Sequence, residues 1–420
     1  MYGAQLIEAL RAELLEGPHI ADAPELRSKG HAGEGAHSIP SLQSVAQSGP
    51  RATLEFFGVG GERMRAAGCD TIVDAKDLSV VGITEILSHL PKIWRLFHHL
   101  IDEADRRKPD LAIVIDSPAF NWRVARQMKK RSVPVVYYVC PQFWAWRQGR
   151  VKLLRKYVDK ALVIFPFEEK FYRDRGVDAE FVGHPLAELS RPEISRQQYA
   201  AAFGLDPAKQ WITLMPGSRR KEVRMNLPGI VQAASLLQGH YEFLLPVAPT
   251  LDQEYFAPFL IPSHKVREQI HLVPEALPAL AHSRAGIIAS GTATVEAALM
   301  ELPFVMVYRV TGMTYLLGRS TVKVPYFAMV NLIAGEKVVP ELVQHDFTPE
   351  AVAAELRKVI AEGPTRAEML AGLRRVKLKL RGSNSGESAP RRAAEAILRL
   401  LGSEVSSTDL PEVNNLPKLP

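Results

Sequence analysis

Two short runs carry residue types suited to holding an anion. In LMPGSRRKEV (214–223) an apolar strand-like stretch gives way to a Gly-Ser turn and then to a helical segment. Such a turn aims backbone N–H groups and a helix N-terminus at negative charge, and Arg219 adds a guanidinium. ASGTATVEAAL (289–299) repeats the order: strand, Ser290-Gly291-Thr292, helix. Small residues let a phosphate approach the backbone, and the helix dipole favours its charge. Glu296 falls about one turn into that helix, where a carboxylate could accept from both hydroxyls of a ribose. The candidate nucleotide contacts are Gly217, Ser218, Arg219, Glu222, Ser290, Gly291, Thr292 and Glu296. A Gly-Ser pair after a strand is also a generic tight turn. Two of them in one domain, with a cation and a carboxylate, favour a nucleotide diphosphate. No G-x-x-x-x-G-K-[ST] loop is present, so the chain is not a P-loop ATPase.

A second group lies further upstream. IDSPAFN (115–121) ends an apolar run with Asp116 and Asn121. YYVCPQFWAWRQGR (137–150) ends another with Phe143, Trp144, Trp146, Arg147 and Arg150, and FVGHP (181–185) puts His184 after a third. Read for function, these residues face a substrate. Read for packing, the aromatics are core and His184 is a satisfied polar group. Cys140 has no Cys or His at metal-ligand spacing and reads as a small buried residue.

The elements that must position these groups alternate. Strands are expected at 53–60, 111–118, 134–141, 160–166 and 179–185, with helical segments between them. Residues 186–207 are polar and helical and read as a crossing. A second series has strands at 211–217, 242–248, 270–275, 285–290 and 303–310. Strand–helix alternation of this size implies βαβ units and parallel sheets, hence an α/β protein of two Rossmann-like domains facing a cleft. Ligands of open parallel sheets sit beyond the carboxyl ends of the strands, where all the residues above fall. Residues 16–52, rich in Gly, Pro, Ser, Ala and His, read as a disordered insertion.

Composition narrows the partners. The chain has 420 residues, 47% hydrophobic and 23% charged, with a formal net charge of +6. A mildly basic protein suits an anionic substrate, an anionic membrane surface or nucleic acid. With no zinc-finger spacing, no RNP-like motif and no long Lys/Arg block, nucleic acid is set aside. Two cysteines make no disulfide framework and suggest a reducing compartment, the cytoplasm. No apolar run approaches the length of a membrane span. One stretch, ILSHLPKIWRLFHHL (86–100), sets Ile93, Leu96, Phe97 and Leu100 on one helical face. Lys92, Arg95, His98 and His99 flank that face, and Trp94 is placed for a headgroup level. Both an interfacial membrane helix and a helix packed on a sheet have this pattern.

Taken together, the runs FFGVGGERMRAAGC, PDLAIVIDSPAFN, CPQFWAWRQGRV, FPFEEKFYRDRGV, FVGHPLAE, LMPGSRRKEV, ASGTATVEAALMELPFVMVYR and VNLIAGEKVVPEL resemble the lipid-A-disaccharide synthases, glycosyltransferases of GT-B type. They occur in order between about residues 53 and 345, and the opening YGAQLIEALR matches as well. The resemblance implies transfer of 2,3-diacylglucosamine from its UDP donor to the 6-hydroxyl of 2,3-diacylglucosamine 1-phosphate (lipid X). The products are a β(1→6) disaccharide, formed with inversion, and UDP. It implies a domain for the acceptor and membrane side at 1–190, a UDP-sugar domain at 191–380, and a helix with a disordered tail at 381–420. It puts Arg219, Ser290, Gly291, Thr292 and Glu296 near the nucleotide and Asn331 in the cleft. Asn121, Trp146, Arg147 and His184 are assigned to the acceptor, and Ile93, Trp94, Leu96 and Phe97 to the membrane. Asp116, Asn331 and Arg219 are the catalytic candidates. No cofactor and no metal is expected, and a homodimer is left open. The expected location is the inner face of the inner membrane, as a peripheral protein.

Two departures stand out. The family carries a second acidic residue in a D-x-P-[DE]-F-N run, where this chain has Ala119. Either Asp116 or another carboxylate then serves as the base that inversion requires, or activity is reduced, and Asp116 is put forward. Family members also begin with a strand and a G-E-x-S-G-D loop ahead of the helix that here reads YGAQLIEALR, so a longer native product is expected. Rival readings are another UDP-sugar enzyme on the same architecture, or a catalytically impaired remnant that binds nucleotide or membrane.

Overall fold

The computed structural model describes residues 2–16, 53–78, 83–237, 241–260, 266–312, 324–382 and 386–408. The insertion expected at 16–52 lies, from residue 17, outside them. Two compact units result: Met1–Ala112 with Pro390–Pro420, and Ile113–Ala389.

In the first unit, the amphipathic opening forms the helix Tyr2–Glu16. Its Ala4 and Ile7 pack on Ala67 and Cys69 in a small apolar cluster with Phe56 and Met64. Strand β1 (Phe56–Gly60) pairs in parallel with β2 (Cys69–Asp74). Among the described residues these two make a two-stranded sheet within this unit. Strand β2 escaped the sequence reading because CDTIVD mixes acidic and apolar positions and offers no continuous buried run. The helix Ile83–Arg107 contains Pro91 and is tied to β2 by the Arg107–Asp70 ion pair at 2.6 Å.

The second unit holds two sheets. One has the order β3-β4-β5-β6, from Ala112–Ile115, Val135–Tyr138, Lys160–Val163 and Ala179–Phe181. The other has six strands: β7 (Gln210–Met215), β8 (Tyr241–Pro246), β9 (Ile270–Val273), β10 (Ala285–Ala289), β11 (Phe304–Tyr308) and β12 (Glu341–Val343). Every residue of β4 and β10 is buried, which explains their unbroken apolar sequences: helices cover both faces of a parallel sheet. Strand β12, three residues with polar neighbours, gave no such signal.

The six strands lie in the order β12-β11-β10-β7-β8-β9. Chain progress runs outward from β7 in one direction, then restarts at β10 on its other side. The order reverses between β7 and β10, which pair in parallel with Ile212 opposite Ala285 and Met215 opposite Ile288. Helices that follow neighbouring strands on opposite faces leave a crevice at such a reversal. Both candidate phosphate turns leave the sheet there, one from each strand.

Buried polar side chains fix these turns. Asn226, on the helix Arg220–Ser235, is 1% exposed. Its Nδ2 donates to Pro216 O at 2.9 Å, and its Oδ1 accepts from Arg309 N at 3.0 Å. One amide thus holds the segments after β7 and after β11. We predict that Asn226→Ala, which strands a buried carbonyl and a backbone N–H, lowers unfolding free energy by about 2 kcal/mol. Urea titration of both proteins checks this, and an unchanged midpoint would remove Asn226 from the frame.

Candidate active site

The first turn is immobilised from several directions. Thr250 Oγ1 donates to Ser218 O at 2.7 Å, Tyr255 OH to Arg220 O at 2.8 Å, and Asn226 holds Pro216. Gly217 has φ +120°, a region that L side chains rarely enter. The donors of this turn are not vacant. Glu222 Oε2 accepts from Ser218 N at 2.9 Å and from Arg219 N at 3.3 Å, and Oε1 accepts from Arg219 Nη1 at 2.7 Å. Glu222 was expected to contact the nucleotide. Here it engages the donors on which the anion reading rests.

The second turn is more open. Gly291 has φ +139°, and a side chain there would meet nothing within 4 Å. Ser290 N donates to Val307 O at 3.0 Å and Ser290 Oγ to Phe327 O at 2.8 Å. The helix behind it, Ala293–Leu299, is only two turns long, so its dipole is small. Glu296 is half-buried, and burial raises the pKa of its carboxyl above the usual value. Its carboxylate has no hydrogen-bond donor among the described residues.

Asn331 is fully buried, and its amide is spent on its own chain. Nδ2 donates to Val339 O and to Glu341 Oε1, while Oδ1 accepts from Val338 N and Val339 N, all at 2.8–2.9 Å. Glu341 in turn accepts from Phe327 N and Ala328 N. The network runs from Asn331 through Glu341 and the 327–328 backbone to Ser290. Asn331, expected as a catalytic contact, is thus placed to shape the second turn from below.

Asp116 stands at the end of β3 and is exposed. It and Ser117 adopt left-handed backbone, φ +48° and +43°. Asp visits that region more readily than Ser, but two in succession cost on the order of 1–3 kcal/mol each and persist only when held. The holders are visible. Tyr137 OH and Asn121 Nδ2 each donate to Asp116 O at 2.7 Å, Asn121 Nδ2 also reaches Ile115 O, and Asp116 N donates to Tyr138 O. Burial pushes the Tyr137 hydroxyl well above its ordinary value, so it stays protonated and donating. Sequence reading missed Tyr137, whose position inside an apolar strand hid its hydroxyl. Asn121, assigned to the acceptor, commits its N–H groups to this backbone. Val139, at the end of neighbouring β4, is also left-handed, at φ +57°.

The aromatic cluster divides in two. Phe143 and Trp144 are core, whereas Trp146 is 49% exposed with the Arg147 guanidinium 4.2 Å over its ring. Trp144 Nε1 donates at 2.8 Å to Glu168, a wholly buried carboxylate that also accepts from Phe165 N and Ile164 N. Burial drives the Glu168 pKa up to about 7. Sequence reading missed Glu168: it stands three positions into a helix beginning at Pro166, but Phe165 ahead of it gives no capping-box signature. His184 is buried, accepts from Leu186 N on Nδ1, and is depressed to about 4 by burial. It is neutral at ordinary pH, and its ring, expected at the acceptor, is engaged with the backbone that follows it. Cys140 and Cys69 are both buried and free.

Known proteins decide the family. The lipid-A-disaccharide synthetase family model matches residues 34–395. The chain belongs to that family. It is 51% identical to the lipid-A-disaccharide synthase of Koribacter versatilis over 373 residues, covering 89% of this chain and 97% of that one. It is 45% identical to the Acidobacterium capsulatum protein of the same name, covering 87% and 93%. Among solved structures it is similar to a UDP-GlcNAc 2-epimerase from Neisseria meningitidis bound to UDP-GlcNAc. That match has a TM-score of 0.54 and 12% identity, covering 83% of this chain and 99% of that one. The calicheamicin glycosyltransferase CalG4 gives 0.52 at 15%, covering 83% and 91%. At such identities these two share the fold. The architecture is that of GT-B glycosyltransferases and epimerases, and membership of the family makes the chain a hexosyltransferase.

If Tyr137 sets the Asp116 backbone, Tyr137→Phe keeps the packed ring and loses only the hydroxyl. We expect kcat to fall about tenfold, roughly 1.4 kcal/mol on the barrier, with KM for the sugar nucleotide within about twofold of the parent. Steady-state kinetics beside a thermal melt separates this from general destabilisation. Unchanged kcat in a folded variant would dismiss the hydroxyl.

Proposed function

We propose that this chain performs its family's reaction with the groups at the strand ends of the second unit, 2,3-diacylglucosamine passing from UDP to the 6-hydroxyl of 2,3-diacylglucosamine 1-phosphate. The observation that carries the assignment is the reversal of strand order between β7 and β10, which puts two Gly-containing turns side by side. The diphosphate sits against Gly217–Arg219 and Ser290–Thr292. Glu296, half-buried and without a donor among the described residues, suits the ribose hydroxyls. As the anomeric carbon–oxygen bond to UDP breaks, negative charge grows on the diphosphate, and Arg219 with the turn N–H groups offsets it. Asp116 takes the proton of the acceptor hydroxyl as that oxygen attacks the anomeric carbon from the opposite face, which inverts the centre. Trp146 and Arg147, an exposed apolar ring under a cation, suit an acylated sugar phosphate.

Arg219→Ala should weaken UDP binding and slow transfer by at least tenfold, about 1.4 kcal/mol. Calorimetric titration of UDP, with a mass-spectrometric assay of the disaccharide product, measures both. Equal affinity and equal turnover would take Arg219 out of the site.

Acylated substrates place the enzyme at a membrane, and among the described residues no helix is long and apolar enough to cross one. A peripheral position on the cytoplasmic face of the inner membrane follows for the proposal. Trp94 is 58% exposed on the helix Ile83–Arg107, with Ile93 and Leu96 half-buried and Arg95, His98 and His99 exposed around it. Phe97 is buried, so its expected membrane contact is corrected: it faces the protein interior while its ring stacks 5.9 Å from Trp94. Replacing Ile93, Trp94 and Leu96 by serine should reduce co-sedimentation with anionic vesicles severalfold, leaving a salt-sensitive remainder. A folded triple variant that sediments like the parent would exclude this helix as the anchor.

A further inference from the structure

We propose that Glu222 is an internal counter-anion that occupies the diphosphate seat and must be displaced by UDP, so that it sets nucleotide affinity and hastens product release. The inference rests on the nucleotide reading given above and adds a competing group to it. Its foundation is geometric. The Ser218 and Arg219 N–H groups and the Arg219 guanidinium are the donors that reading assigns to phosphate oxygens, and one carboxylate holds all three. Each backbone N–H offers one hydrogen, so a phosphate oxygen and the carboxylate compete for the Ser218 and Arg219 amides, while the guanidinium, engaged through Nη1 alone, has donors for both.

The turn is shaped for this occupant. A Cβ on Gly217 would stand 2.5 Å from Glu222 Cβ and 2.6 Å from Glu222 Oε2. The bare α-carbon of Gly217 is therefore what lets the carboxylate lie along the turn. Thr250 and Asn226 hold the carbonyls of Ser218 and Pro216, so the N–H groups keep their direction when the carboxylate departs. Departure is also sterically open, because the Glu222 side chain is 31% exposed and that of Arg219 80%. The donors are thus preorganised yet never bare: a carboxylate neutralises them when the nucleotide is absent. Each UDP that leaves is replaced by a group already tethered a few ångströms away, which lowers the barrier to release. Uridine, with no phosphate, has no need to displace Glu222.

The test uses Glu222→Gln, which keeps the shape of the side chain and an acceptor oxygen for the turn but removes the charge. UDP should bind this variant at least tenfold more tightly than the parent, while uridine binds both within about twofold. Steady-state turnover should fall where UDP release limits it. Glu222→Ala, which removes the group entirely, should also tighten UDP. A thermal melt of each variant establishes that it is folded. UDP affinity equal to or weaker than the parent's in both variants overturns the inference while leaving the nucleotide site standing. Absence of UDP binding to parent and variants alike overturns the nucleotide reading itself, and this inference with it. A structure of the parent with UDP provides a measurement free of substitutions. Glu222 should have moved off the Ser218 and Arg219 amides, and a complex in which it still bonds both refutes displacement.

Discussion

In the turns beyond the carboxyl ends of parallel strands, N–H groups such as those of Ser218 and Arg219 find no partner in the sheet, and the architecture depends on how they are satisfied. Around β7 and β10 the solution is a pair of glycine turns at the reversal of strand order. Buried amides and carboxylates then hold those turns in place. Asn226 and Asn331, with Glu341 beside it, are the main examples, and the two asparagines are buried because their work is done from beneath. Fixing donors in advance costs stability while the protein folds and lowers reorganisation during the reaction.

The same capping geometry occurs twice with different outcomes. Glu168 and Glu222 each stand three residues into a helix and reach back to the N–H groups ahead of it. Glu168 is sealed among aromatics, its carboxyl raised to about 7, and it serves as a permanent tie between Trp144 and the 164–165 backbone. Glu222 lies at the mouth of the crevice, part exposed and paired with an exposed arginine. Local geometry alone does not separate a tie from an exchangeable group. Access to water does.

Much of the fold was legible because fully buried parallel strands write themselves as continuous apolar runs. Strands β4, β10 and β11 have such runs, and the alternation of strand with helix located the others of both sheets except β12. The pairing of β1 was not, because strand order is a matter of long-range contact that no local period encodes. The strand-end turns were legible for the complementary reason: glycine and serine in that context have few other uses. What the sequence could not separate was exposure. Asn331, His184 and Phe97 have types that suit a site, yet all three are buried, while Tyr137, hidden in an apolar strand, carries a hydroxyl that holds Asp116. Polar residues that contact a ligand and polar residues that orient the backbone beneath it share the same composition and spacing.

Ala119 bears on how the base is supplied. It is exposed at the start of the helix Pro118–Lys130, and its carbonyl accepts from Arg123. A longer acidic side chain there would project into solvent without displacing a neighbour. Every alanine codon is a single base from one for aspartate or glutamate, so one mutation can place an acidic residue there. Exposure at this position therefore places little packing demand on the residue that occupies it. Retention of alanine is a question of selection on chemistry, with the fold indifferent to the outcome.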